Sequence, residues 1–267
     1  MNTTPDVVVR TKDAVRWLIL DRPDVGNSVT RAMQQALVEH LQRASGDPEV
    51  RAVVFTASGD RHFCTGPNLR DPDMQPSRDR IPGDAARTLR TGSQAVVSAL
   101  LDCEKPVLCA LNGVAAGVGA SMVLACDLIV AAESARLIEL FARRGLAPDG
   151  GAAYLLSRKV PFNIAKQLLL FGEDLSAADA HRIGLINKVV AGSELTRVAT
   201  EWANRLAQGP TRALAAAKAM LNDALDVNRD TAFRVESLLV EQVAATDDAA
   251  EGISAFTERR DPDFRGR

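Results

Sequence analysis

Residues 105–127 read KPVLCALNGVAAGVGASMVLACD, and three kinds of local structure follow one another in them. The apolar run 107–111, after Pro106, has the length and composition of a buried strand. Small residues then crowd together: Gly113, Ala115, Ala116, Gly117, Gly119 and Ala120. The mostly apolar, proline-free run 121–125 reads as a buried helix whose N-terminus opens at Gly117 and Val118. The first N–H groups of a helix lack internal acceptors and lie at its positive dipole end, and small side chains let a ligand approach them. The stretch therefore predicts a place for an anion, or for a carbonyl oxygen that becomes one.

The rest of the chain bounds what such a site serves. At 267 residues, 46% of them hydrophobic and 25% charged, the chain has the length and composition of one large soluble domain or a domain with an appendage. A net charge of −2 gives no electrostatic footprint for nucleic acid. No apolar run reaches the ~18 residues of a membrane span, and the N-terminus has no basic segment leading into a long apolar one. Cys64, Cys103, Cys109 and Cys126 match no zinc spacing and read as reduced thiols of a cytosolic protein. His40, His62 and His181 are scattered, so no metal site is expected.

Strands are expected over 7–9 and 15–20, joined as a hairpin at 11–13. A helix over 31–44, capped by Ser28 or Thr30, follows, then a strand over 53–56. Residues 71–83, with three prolines and many charges, read as a mobile loop, and 85–101 as one helix. Further strands are expected over 128–132, 135–140 and 186–190. Residues 145–151 form a Gly/Pro loop, helices begin at 152 and 163, and Ser176 caps another with Asp179 three residues on. From Ser193 onward the pattern is helical. This divides the chain into an α/β core, 1–192, and a helical region, 193–267. Alternating strands and helices predict an α/β fold, on pattern alone a doubly wound sheet.

Four stretches in order carry a resemblance: LDRPDVGNSV at 20–29, GDRHFCTGPNL at 59–69, NGVAAGVGASMVLACD at 112–127 and DDAAEGISAFTERR at 247–260. Together they resemble the enoyl-CoA hydratase/isomerase family, the crotonases, over nearly the whole chain. The resemblance implies a spiral of stacked ββα units followed by C-terminal helices that build trimers or hexamers. It also implies an acyl-CoA thioester as substrate, coenzyme A arriving as part of that substrate and no separate cofactor. The CoA moiety is expected along Asp24, Val25 and Ser28 and along Thr65, Pro67, Asn68 and Leu69, where Asn68 replaces the family's usual aspartate. Phe256 and Arg259 are expected to reach the CoA of the same or a neighbouring subunit.

Crotonases hold the thioester oxygen with two backbone N–H groups. Carried onto this chain, those positions are Val118 and Pro67, and proline has no N–H. The two glutamates of the hydratases fall on Ser121 and Phe141, neither of which is a general base. One acid remains: GLAPDGG at 145–151 resembles the loop in which many isomerases of the family carry a catalytic aspartate, here Asp149. Moving a double bond needs one base, and an aspartate in an apolar pocket suits the task. Glu139, two residues before Phe141, is a second candidate on whichever face the strand turns it. The resemblance leaves three readings: a 3-enoyl-CoA to 2-enoyl-CoA isomerase, an atypical hydratase, and a homologue that binds acyl-CoA without turnover. Taken without the resemblance, Asp149 is a turn residue and Ser121 a packed helix residue. Ser121 is no nucleophile, because G-x-S-x-G fails at Val123. Gly117 and Gly119 lack the third glycine of a dinucleotide turn, which is Met122 here.

Overall fold

The structure, a computed structural model, describes residues 6–68, 70 and 81–267. It opens on the expected hairpin, β1 (Val7–Lys12) and β2 (Val15–Leu20), antiparallel with Lys12 opposite Val15. Asp13 and Ala14 both take positive φ, as a two-residue turn matching strand twist requires. Helix α1 (Arg31–Gly46) follows, and Thr30 is its cap, its side chain accepting from the Met33 N–H at 3.2 Å.

Three units then repeat one plan. In each, a strand is followed at once by a second, shorter strand and then by helix. The first is β3 (Ala52–Ala57), β4 (His62–Cys64), α2 (Asp84–Thr91) and α3 (Ser93–Asp102). The second is β5 (Val107–Leu111), β6 (Val114–Ala116) and α4 (Val118–Leu124). The third is β7 (Leu128–Ala132), β8 (Arg136–Ile138), α5 (Ala152–Lys159) and α6 (Phe162–Phe171). The longer strands and the three-residue β10 form one sheet in the order β1-β2-β3-β5-β7-β10, and the second strands of the units form another with β9, in the order β4-β6-β8-β9. Here β9 is Asp174–Ser176 and β10 is Lys188–Val190, with α7 (Ala177–Arg182) between them. The ββα spiral is therefore present, and the doubly wound sheet that pattern alone predicts is not.

Two further expectations are corrected. The helix over 85–101 is broken at Gly92, which lies outside helical φ and ψ. A Cβ there would stand 2.7–2.8 Å from Arg31, Gln34 and the Thr88 carbonyl, so the close approach of α1 fixes the break. The glycine-rich run 113–116, expected as part of the turn, contains strand β6. The loop expected at 71–83 falls mostly on residues 71–80, outside those described.

The large sheet is buried on both faces, which is why its strands read as continuous apolar runs. Val53, Phe55, Val107, Cys109, Leu111 and Ile129 face the core that holds α1, α3 and α4. The alternate residues Ala52, Val54, Leu108, Ala110 and Val130 pack under Leu195, Val198, Ala199 and Ala203 of α8 (Leu195–Ala207). The first helix beyond residue 193 thus lies on the sheet. The chain ends with α9 (Thr211–Asp223), α10 (Arg229–Ala244) and α11 (Asp247–Glu258). Helix α9 is tied to the centre by buried Lys218, which pairs with Asp127 at 2.9 Å and donates to the Leu100 carbonyl at 3.0 Å. Asp127, the last residue of the stretch that opens the sequence reading, also accepts from the Val107 N–H at 2.7 Å.

Candidate active site

Two loops are zipped together to make one wall. The Thr65 N–H donates to the Gly26 carbonyl at 3.1 Å, Val29 N–H to Gly66 at 2.9 Å, and Asn68 N–H to Val29 at 2.8 Å. Asn27, fully buried at positive φ, holds the first loop in place. Its amide donates to the carbonyls of Ser58 at 2.9 Å and His62 at 2.8 Å, and its oxygen accepts from Arg22 N–H at 2.8 Å. This brings Asp24, Val25 and Ser28 beside Thr65, Pro67 and Asn68. Asp24, Val25 and Thr65 are exposed, while Ser28 is buried. Leu69 lies outside the described residues. Val29 and Pro67 form a parallel bridge. In such a bridge the bonds run to the neighbours of Pro67, so position 67 turns its own nitrogen and carbonyl away from Val29.

The glycine turn packs against this wall. Strand β4 pairs with β6, Cys64 opposite Ala115. A Cβ on Gly119 would lie 2.2 Å from the Cys64 carbonyl oxygen, a contact no other residue survives. Gly117 takes φ 55 and ψ −122, which L-residues rarely adopt. Its N–H is used by the Ile138 carbonyl at 2.9 Å, and the next N–H, that of Val118, opens α4 without a helical acceptor. Helix α4 has only 7 residues, so the turn offers local N–H groups more than a long helix dipole.

The remaining candidates converge on this turn. A Cβ on Gly117 would touch the ring of buried Phe141 at 3.6 Å, and one on Gly150 would stand 3.4 Å from the Ser121 hydroxyl. The Ser121 hydroxyl donates to the Asp149 carbonyl at 3.4 Å. Asp149 is half-buried, its Oδ1 is enclosed without a hydrogen-bond partner among the described residues, and burial raises its pKa above the ordinary carboxylate value. Glu139 is 4% exposed, and among the described residues neither of its carboxyl oxygens has a partner. Burial first, then the charge of Asp149, push it up to about 8. It lines a small cavity otherwise made of leucines. The strand thus turns Glu139 to the leucine side, while Phe141 stands over Gly117.

Val118, Pro67, Ser121, Phe141 and Asp149 therefore share one region. Phe256 and Arg259 sit on and at the end of α11, with Phe256 84% exposed; their link to CoA rests on the resemblance alone. Two features escaped the sequence reading. One is the Asn27 clamp, whose signal is an asparagine in a glycine-rich turn, a type that tolerates positive φ. The other is the burial of the Glu139 carboxyl among leucines, which no spacing announces. A cleft of about 1110 Å³ lies elsewhere, beside the α8 face of the large sheet, with Arg10, Trp17, Asn112 and Glu133 in its wall. It contains none of the expected site residues. Among the described residues no group of three or more His, Cys, Asp or Glu is arranged to hold a metal, and no helix is long and apolar enough to cross a membrane.

Comparison with known proteins agrees with this geometry. A family profile described as enoyl-CoA hydratase/isomerase matches residues 10–267. The 1,2-epoxyphenylacetyl-CoA isomerase of Escherichia coli K12 is 34% identical over 261 residues, 98% of each chain. The 2,3-dehydroadipyl-CoA hydratase of the same strain is 32% identical over 262 residues, covering 98% of this chain and 99% of the relative. The crystal structure of an enoyl-CoA hydratase/isomerase from Cupriavidus metallidurans CH34 superposes with a TM-score of 0.91 at 30% identity, covering 100% of this chain and 98% of that one. An enoyl-CoA hydratase structure from Polaromonas sp. JS666 gives a TM-score of 0.89 at 31% identity, over 97% and 99%. With its two sheets of ββα units, its C-terminal helices and its ordered motifs, the chain belongs to the enoyl-CoA hydratase/isomerase family and has the crotonase fold.

Proposed function

We propose that the protein is an acyl-CoA enzyme that shifts the double bond of a 3-enoyl-CoA into conjugation with its thioester, with Asp149 carrying the proton. The observation that carries this reading is Asp149, whose backbone carbonyl accepts from Ser121 of α4 and whose carboxyl has a buried oxygen that no group among the described residues satisfies. A base must be within reach of the proton it takes and have a pKa raised toward the working pH, and burial raises this one. The carboxylate takes the proton from C2, and the electron pair of that bond moves toward the thioester oxygen. The same proton returns to C4, so the double bond ends between C2 and C3. The Val118 N–H is the donor we assign to the oxygen.

One-base chemistry also fits what is absent. Hydration needs a base for water and an acid for the α-carbon. Ser121 and Phe141 supply neither, and Glu139 lines the leucine cavity. We further propose that the chain works as a trimer or hexamer. Leu221, Phe233, Leu238, Val240, Ile253 and Phe256 of the last helices, and Leu225 in the turn between α9 and α10, are more than half exposed in the single chain, a cost that burial between subunits removes.

The test is Asp149→Asn, which keeps the shape and removes the base. Isomerisation of 3-enoyl-CoA should fall by ~10²–10⁴, with CoA-ester affinity little changed. Isomerase activity that survives the substitution removes Asp149 from the mechanism. A wild type that hydrates 2-enoyl-CoA faster than it isomerises 3-enoyl-CoA selects the hydratase reading, and tight CoA-ester binding with no turnover selects a binding homologue.

A further inference from the structure

We propose that Glu139 is a positioning residue for the proton shuttle: an uncharged carboxylic acid in a cavity closed by Leu124 of α4, one turn from Ser121 where the Asp149 backbone meets the same helix, whose ionisation sets a second negative charge near the base and stops turnover. This rests on the reading of Asp149 as the base. Glu139 is 4% exposed, just beyond β8, and both carboxyl oxygens are without partners among the described residues. Its cavity, about 10 Å³, is closed by Leu124, Leu137, Leu156, Leu168, Leu175 and Leu185. That is room for about one water at most. A carboxylate there has neither a counter-charge nor solvent, so the neutral acid is the form the site tolerates.

The charges on the surrounding elements are engaged elsewhere. On α5, Arg158 pairs with Asp226, and Lys159 acts on Cys126 and Asp127. On α6, Lys166 sits over the Phe162 ring. On β9, Asp174 pairs with Arg143 at 3.2 Å, and on β8, Arg136 is exposed. On α7, Asp179 pairs with Arg182, and the His181 ring bonds the Ile186 carbonyl at 2.7 Å. Helix α4 carries no charged side chain. The charge that reaches Glu139 is that of Asp149.

With Asp149 ionised and Glu139 neutral, the two carboxyls carry one negative charge between them. During the shuttle one negative charge is present, first on Asp149 and then on the enolate, while Glu139 keeps its own proton throughout. Once Glu139 ionises there are two. The enolate must then form beside a second carboxylate in an apolar setting, where like-charge repulsion is strong. The rate should fall on the alkaline side, with Glu139 as the group that sets the limb.

The first measurement is infrared titration of the full-length protein, which needs no turnover. A protonated-carboxyl band should vanish near pH 8, be missing from Glu139→Gln, and vanish at lower pH in Asp149→Asn, where the neighbouring charge is gone. The second is the ratio of isomerisation rates at pH 9 and pH 7 within each protein. In the wild type the ratio should be about 0.1, as one ionisation a unit above its midpoint gives. In Glu139→Gln it should stay within about 2-fold of one. Glu139→Met, which fills the leucine cavity, serves as the second variant if the glutamine fails to fold. A carboxyl midpoint indifferent to Asp149→Asn, or an unchanged alkaline limb in a folded Glu139 variant, overturns the proposal. Full turnover by Asp149→Asn removes the base reading instead, and the infrared midpoint still reports whether the two carboxyls are paired.

Discussion

Replacing Pro67 with alanine should make this protein a faster enzyme. Position 67 turns its nitrogen away from Val29, because the bridge bonds are made by Gly66 and Asn68 on either side of it. The resemblance assigns that outward nitrogen to the thioester oxygen, and proline leaves it without a hydrogen. The Asn68 N–H cannot take over in place, since it donates to the Val29 carbonyl at 2.8 Å. One missing oxyanion donor typically costs ~10²–10³ in turnover, or ~3–4 kcal/mol. The opposing cost of Pro67→Ala is small. The unfolded chain gains freedom worth ~0.4–1 kcal/mol, and no backbone bond of the bridge belongs to residue 67. At least ~10-fold of the donor's usual effect should therefore return to kcat. CoA-ester binding should tighten much less, because the donor favours the enolate over the ground state. The assay is the rise in ultraviolet absorbance as a 3-enoyl-CoA becomes conjugated, with circular dichroism and a melting curve to verify the fold. Asn68→Ala is the control, since its side-chain amide is the substitute donor next to position 67 in the chain. An unchanged or slower rate in folded Pro67→Ala refutes the assignment of position 67, and a collapse of rate in Asn68→Ala shows where the oxygen is held instead.

Stability should carry the signature of Glu139. Its pKa rises from 4.5 unfolded to about 8 folded, so between those values the folded state holds one more proton than the unfolded state, and stability falls as pH rises. The loss is ~1.4 kcal/mol per pH unit, ~5 kcal/mol across the window. Glu139→Gln should remove that slope, so its stability relative to wild type in denaturant titrations should climb steadily from pH 5 to pH 8; a flat difference refutes a buried, unpaired carboxyl. In light scattering at micromolar concentration the protein should run as a trimer or hexamer, and a monomer would leave the apolar faces of α9, α10 and α11 unexplained.

The sequence alone determined what lies within a few residues of itself. The strand at 107–111, the turn at Gly117 and the helix after it follow from apolar run length, small side chains and the absence of proline. The Ser176 cap, bonded to the Asp179 N–H at 3.1 Å, follows from a spacing of three. Asp149 and Pro67 could be singled out because each stands inside a motif. Of the small sheet only β8, inside the strand expected over 135–140, was legible; β4, β6 and β9 have three residues each, too few to show alternation. Their pairing comes from where the longer strands leave them. The break at Gly92 likewise depends on α1 arriving from 57 residues or more away in sequence, its Arg31 reaching the Thr88 carbonyl at 3.2 Å. Tertiary structure also decided the state of Glu139. A glutamate beside a strand can face solvent or core, and only closure by leucines from α4, α5, α6 and β9 leaves its carboxyl buried and, among the described residues, unpaired. Burial and electrostatic coupling are properties of distance in space, and local sequence pattern encodes those distances only through the packing of the whole chain.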